Sequence, residues 1–224
     1  MNRTVIYSDR KTIGIQVKRD GSVVIHAPRG MTRAQIDGFV RSHEDWIEKK
    51  RSQRPTFTGL DGVYYLGESF PLTESAERKV GFDGEKFVVP EGLGNDGKIN
   101  ALAVFFKAVG KKYMADKTAL WAAVMKLPQP PAPKITGAKT RWGSCGGKGG
   151  NRINYAYMLM MTDEECIDYV TVHELSHIVF KNHNENFYAL VSRYIPDYKK
   201  REEKLREYEK IFTAQGFYDA AKQN

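Results

Sequence analysis

The chain has 224 residues, 41% hydrophobic and 28% charged, a balance that fits a folded chain and excludes a disordered one. No stretch approaches the roughly 18 apolar residues of a membrane helix, the first ten residues lack the apolar core of a signal peptide, and two cysteines, Cys145 and Cys166, are too few for a disulfide scaffold, so a reducing cytoplasm is the expected compartment. The net charge of +8 invites a nucleic-acid partner, but residues 1–112 carry 19 basic and 14 acidic groups and residues 113–224 carry 16 and 13, an even spread with no basic arm that argues against one.

In chain order, residues 12–17 and 23–27 read as strands around the turn signal Asp20-Gly21, and Pro28-Arg29-Gly30 ends that unit. Thr32 with Gln35 has the capping-box form, and Ile36, Phe39, Val40, His43, Trp46 and Ile47 follow at helical spacing, which predicts one amphipathic helix over 33–51 closed by Pro55, with Trp46 in the core. β signals return at Asp61-Gly62, Val63–Leu66, Phe70–Leu72 and Lys86–Val89. The Gly-rich segment 92–97 is the expected boundary between a β-rich N-terminal part, 1–97, and a second part, 98–224. Residues 99–125 have a helical pattern, with Trp121 reading as core, and Pro128, Pro130, Pro131 and Pro133 make an extended connector. Two strands are expected at 134–145 and 152–160 around a Gly-rich loop. Thr162 and Glu165 form a second capping-box pair, opening a helix to about Phe180, and helices over 185–194 and 197–214 are divided by Pro196.

The helix opened at Thr162 carries the chemistry. His173-Glu174-Leu175-Ser176-His177 is an HExxH pattern. Residues four apart share a helix face, so two imidazoles can point at one metal ion while the carboxylate between them reaches its water. Composition alone yields such a match in roughly one chain in a hundred, and here it falls in a helix supported by its cap and by Ile167, Val170 and Ile178. His183 lies about 600° around an ideal helix from His177, so it joins them only if the helix stops first. Asn182 is the expected stop, through a left-handed conformation, and Asn184 the cap of the next helix. Glu185 is the rival third ligand. The ten-residue span from His173 to His183 matches metzincins, but Phe180 stands where they have glycine, and all seven methionines precede the motif, leaving none for a methionine turn.

Thr140-Arg141-Trp142-Gly143-Ser144-Cys145 is the other distinctive stretch. It fails the phosphate-loop pattern at Trp142 and Gly149, and no G-x-S-x-G is present. It reads either as a plain hairpin or as a cleft wall on which Lys139, Arg141 and Trp142 meet substrate. His26 and His43 read as structural, and the mixed-charge run 199–206 as a solvated helix face.

The combination of Lys139–Cys145, Asn154, Asp168-Tyr169-Val170, His173–His177, His183 and Phe187 resembles the YgjP-like metal-dependent hydrolases. The resemblance extends to Ala27-Pro28, Trp46-Ile47, Asp61-Gly62 through Leu66-Gly67, and Pro196–Lys199. Ser176 stands where cysteine is common, Tyr188 where tryptophan is common, and 158–161 is unusually Met-rich. The resemblance implies an α+β fold: a zincin-like, gluzincin-type catalytic domain with the HExxH helix and a β-hairpin or sheet, preceded by a β-rich part with one helix. It implies a zinc metallopeptidase, and pyrophosphatase action on UTP has also been attached to the family.

The expected chemistry is therefore Zn²⁺ on His173, His177 and His183, with Glu174 as general base. Arg141, Trp142, Tyr155 and Tyr188 are candidates for contact with substrate or for stabilising an oxyanion, and Asp163, Asp168 and Glu185 for holding the imidazoles from behind. The substrate is a peptide on the first reading. A nucleoside triphosphate is the alternative, motivated by Lys139, Arg141 and Lys148; a non-enzymatic nucleic-acid binder comes third. Nothing in the sequence sets an oligomeric state.

Overall fold

A computed structural model describes residues 3–17, 23–52, 60, 62–147 and 149–218. The chain divides into two compact units, Met1–Phe57 and Thr58–Asn224. The loop at 92–97, expected to part the chain, lies inside the second unit. With the division at 57 the charge is not evenly spread: residues 1–57 hold 12 basic and 6 acidic groups, residues 58–224 hold 23 and 21.

In the first unit, β1 (Arg3–Ser8), β2 (Gly14–Val17) and β3 (Val23–Pro28) form a sheet of order β1-β3-β2, with β1 parallel and β2 antiparallel to the central β3. Val17, Val23, Ile25 and Ala27 bury against Ile36, Val40 and Ile47. The Asp20-Gly21 turn and Pro55 lie outside the described residues. The single helix expected over 33–51 is two, α1 (Arg33–Arg41) and α2 (Glu44–Ser52). Thr32 and Gln35 make the expected capping box. The break comes at Ser42 and His43: Ser42 Oγ donates to the Phe39 carbonyl at 2.9 Å and His43 Nδ1 meets the same oxygen at 2.9 Å, side chains taking over from the helical ladder. The turn rotates Trp46 outward, and it is 43% exposed rather than core.

The second unit opens with a four-stranded sheet of order β4-β5-β7-β6, from β4 (Gly62–Tyr65), β5 (Glu68–Ser75), β6 (Gly81–Phe82) and β7 (Phe87–Pro90). The β4–β5 turn is two residues long with positive φ at both, Leu66 (48°) and Gly67 (90°), the form that matches strand twist. A Cβ on Gly67 would lie 2.7 Å from the Asp163 Cβ, so only glycine lets this turn sit on the start of the HExxH helix.

The long helix α3 (Asn95–Val124) buries Ile99, Leu102, Phe106, Gly110, Met114, Thr118 and Ala122, a stripe at three- and four-residue spacing. A sheet of order β8-β10-β9 follows, from β8 (Lys134–Thr136), β9 (Gly143–Gly146) and β10 (Arg152–Ala156), with β8 parallel and β9 antiparallel to β10. The expected strand 134–145 is thus two short strands. The strand expected to run to 160 ends at Ala156, where the Met-rich run Tyr157–Met161 becomes a fully buried 3₁₀ turn.

The last three helices are α4 (Glu164–Val179), α5 (Glu185–Tyr194) and α6 (Tyr198–Ala214). The cap of α4 is Asp163, not Thr162: its carboxylate accepts the Cys166 N–H at 2.9 Å, while the Thr162 hydroxyl donates back to the Leu159 carbonyl. α4 is buried on nearly every side, and polar contacts fix it to both neighbours. Asp168 accepts from Trp121 Nε1 (2.8 Å) and Lys117 (3.0 Å) of α3, and Asp163 from Lys204 (3.0 Å) and Tyr208 (3.0 Å) of α6. No helix of the described residues is long and apolar enough to cross a membrane.

Candidate metal centre

His173 and His177 stand one turn apart on α4, and the chain then leaves the helix abruptly. Phe180 is extended (φ −120°, ψ 115°), and its carbonyl lies 3.1 Å from His177 Nδ1. The helix thus ends at Val179, one residue short of the expected Phe180 and without a left-handed Asn182, because Phe180 is extended and offers its oxygen to the imidazole. Asn184 caps α5 as expected, its side chain accepting the Phe187 N–H at 3.0 Å.

Between these two helices the loop brings His183 back. Its Nε2 lies 3.0 Å from His173 Nε2, and one ring nitrogen from each of His173, His177 and His183 falls within 4.8 Å of the others. Phe187 of α5, fully buried, lies beneath all three rings, with centroids 4.9, 4.6 and 4.8 Å from His173, His177 and His183. The rival Glu185 is exposed in the first turn of α5.

Glu174 is 5% exposed, and its Oε2 is buried with no hydrogen-bond partner. Burial pushes its carboxyl up to about 8, against the pull of Arg141 in the other direction. Burial also pushes His173 down to about 3, with His177 and His183 adding to the shift, and lowers His177 as well. His173 is therefore neutral at ordinary pH, with a lone pair free for a metal, and burial favours the neutral form of His177 as well. Three converging imidazole nitrogens beside an orphaned carboxyl oxygen fit a divalent ion with a water between it and Glu174.

A cleft of about 610 Å³ opens over this group, lined by Arg141, Trp142, Gly143, Ser144 and Cys145 on one side and by Tyr169, Glu202 and Arg206 on the other. Of the residues expected to meet substrate, Arg141 and Trp142 line it. Tyr155 does not: it is fully buried in the core, its hydroxyl 3.2 Å from Thr118 Oγ1, because residue 155 faces inward from the centre of the sheet. Tyr188 borders a neighbouring depression with Tyr198, stacked at 5.5 Å. Lys139 Nζ is bonded to the Tyr218 carbonyl at 3.0 Å, and Lys148 lies outside the described residues. Asp163, Asp168 and Glu185 do not back the imidazoles. Tyr169 does so instead, 3.4 Å from His173 Nδ1.

A buried HExxH helix, a third imidazole from the following loop and a lined cleft define the metallopeptidase class of metal-dependent hydrolases. The metallopeptidase domain of the YgjP-like family matches residues 11–208, and the chain belongs to that family. No curated protein and no solved structure gives a significant match.

Proposed function

We propose that this chain is a zinc-dependent, peptidase-like hydrolase in which His173, His177 and His183 hold the ion and Glu174 is the general base. The observation that carries the reading is the unpartnered, buried Oε2 of Glu174 beside three imidazole nitrogens within 4.8 Å of one another. A bound Zn²⁺ supplies a polarised substrate group and a water acidified toward neutrality. Glu174 takes the proton of the attacking water at Oε2 and delivers it to the leaving group. Burial raises the Glu174 carboxyl in the metal-free protein, and the positive charge of a bound ion would favour the ionised form that accepts the proton. Arg141, exposed at the cleft wall, is placed to meet negative charge developing on the scissile group, and Trp142 to hold the flanking chain.

Peptide is favoured over nucleotide as substrate. The metallopeptidase description of the family favours peptide; of the described cations that motivated a triphosphate, Arg141 lines the cleft, together with Lys181 and Arg206, whereas Lys139 is bonded to the Tyr218 carbonyl. Both thiols are free, Cys166 buried and Cys145 half-buried, which suits a reducing cytoplasm. The test is metal analysis of purified protein, followed by parallel assay of the zinc-loaded form against casein-like peptides and the four nucleoside triphosphates. About one zinc per chain, with peptide cleavage abolished in Glu174→Gln, supports the reading. Hydrolysis by Glu174→Gln at the wild-type rate overturns it.

A further inference from the structure

We infer that Tyr169 and Glu202 form a positioning relay that fixes His173, and through it couples α6 to metal affinity. The inference rests on the proposed metal site. His173 Nε2 is turned toward His183 Nε2 at 3.0 Å, so Nδ1 is the nitrogen left to bond with protein. The partner it meets is the Tyr169 hydroxyl at 3.4 Å, one turn back on the same face of α4, with the tyrosine ring edge-on to the imidazole at 5.8 Å between centroids.

A tyrosine hydroxyl can donate or accept, so by itself it does not select an imidazole tautomer. Glu202 of α6 selects it. The Tyr169 hydroxyl donates to Glu202 Oε1 at 2.6 Å, the short distance of a charge-assisted bond. With its proton committed to the carboxylate, the tyrosine oxygen is left as an acceptor, and His173 must offer Nδ1–H and keep the Nε2 lone pair outward. Glu202 and Tyr169 are 33 residues apart in the chain, so the relay exists only while α6 is docked on α4. The packing holds it rigid: Tyr169 is 4% exposed and stacks on Tyr198, itself stacked on Tyr188. Arg206 approaches the other carboxylate oxygen of Glu202 at 4.0 Å, and both residues line the cleft, so the relay begins at a surface that substrate can touch.

Groups that orient a ligating histidine typically contribute 10–100-fold to metal affinity. The experiment measures zinc affinity by chelator competition, and the visible spectrum of the Co²⁺-substituted protein, for wild type, Tyr169→Phe, Glu202→Gln and the control Tyr198→Phe. Phenylalanine keeps the ring packing and removes only the hydroxyl. Glutamine keeps an acceptor for Tyr169 and removes the charge. The expected result is a 10–100-fold loss for Tyr169→Phe with a shifted Co²⁺ spectrum, a smaller loss for Glu202→Gln, and less than twofold for Tyr198→Phe. Zinc binding by Tyr169→Phe within twofold of wild type overturns the relay, as does an equal loss in Tyr198→Phe, which marks general loosening. Wild-type protein that takes up no zinc overturns the metal site and the relay together, so the two failures are told apart by the wild-type titration.

Discussion

Gly143 of β9 passes so close to Glu174 of α4 that a Cβ on it would lie 2.6 Å from Oε1 and 2.7 Å from Cγ. No side chain larger than hydrogen fits between the strand and Glu174, so glycine at this position is what allows the cleft wall to press on the carboxyl group. Gly143→Ala is expected to push the Glu174 carboxylate aside. A displacement of about 1 Å at a catalytic group costs on the order of 100-fold in rate, while the three imidazoles keep their places. Turnover and zinc content measured on the same preparation check this: activity should fall about 100-fold with zinc retained. Loss of both would place Gly143 in the support of the metal site instead.

The buried carboxyl has a pH signature in the metal-free protein. Glu174 titrates near 8 when folded and near 4.5 when unfolded, so between these values the folded state binds a proton that the unfolded state has released. Its contribution is neutral below 4.5 and increasingly destabilising as pH rises to 8. His173 acts on the acid side: held down to about 3 from 6.5, it destabilises the fold as pH falls below 6.5, where the unfolded chain takes up the proton. Glu174→Gln removes only the first effect. Denaturant unfolding in the presence of chelator should find the variant more stable than wild type at pH 8, by on the order of 3 kcal/mol, with the gap closing near pH 4. A gap that does not change with pH would contradict the burial argument.

Local signals in the sequence point to the three imidazoles that the structure brings together, but not to what surrounds them. His173, Glu174 and His177 follow from helical periodicity, and the caps at Thr32 and Asn184 from the chemistry of short polar side chains. His183 was reachable because only a helix break returns it to the group. Tyr155 was misplaced because alternation along a strand does not say which face is core until the sheet's neighbours are known. Tyr169 had a readable signal, four residues before His173, but Glu202 lay hidden in a mixed-charge run, and its meeting with Tyr169 depends on how α6 crosses α4. The charge of unit one was obscured for a similar reason: the even split at 112 straddles the real division at 57.

Asp168 offers a test of the distinction between scaffold and site. Although it lies five residues before His173, its carboxylate serves Trp121 and Lys117 of α3, both partly buried. Asp168→Ala would strand the indole N–H and leave the ammonium with the longer pair to Glu164 at 3.4 Å, a loss of about 1–3 kcal/mol. The midpoint of thermal unfolding should drop by several degrees, while zinc affinity at 25 °C stays within about twofold of wild type. A large change in affinity with little change in unfolding would instead assign Asp168 to the imidazoles.

Phe187 makes the complementary prediction, because it touches all three imidazoles and can ligate nothing. Its ring is fully buried and centred 4.6–4.9 Å from each of them. Removing it leaves a cavity under the tripod, so the rings lose the surface that limits their tilt. Phe187→Ala should cost about 3–5 kcal/mol of stability, and Phe187→Leu, which refills most of the space, much less. Both should bind zinc more weakly, with the alanine variant worse by about tenfold or more, since orientation around a metal is set as much by what packs behind the ligands as by the ligands themselves. Chelator competition on protein shown folded by circular dichroism is the measurement. A folded Phe187→Ala that holds zinc as tightly as wild type would show that the hydrogen bonds to Phe180 and Tyr169 suffice to hold the imidazoles.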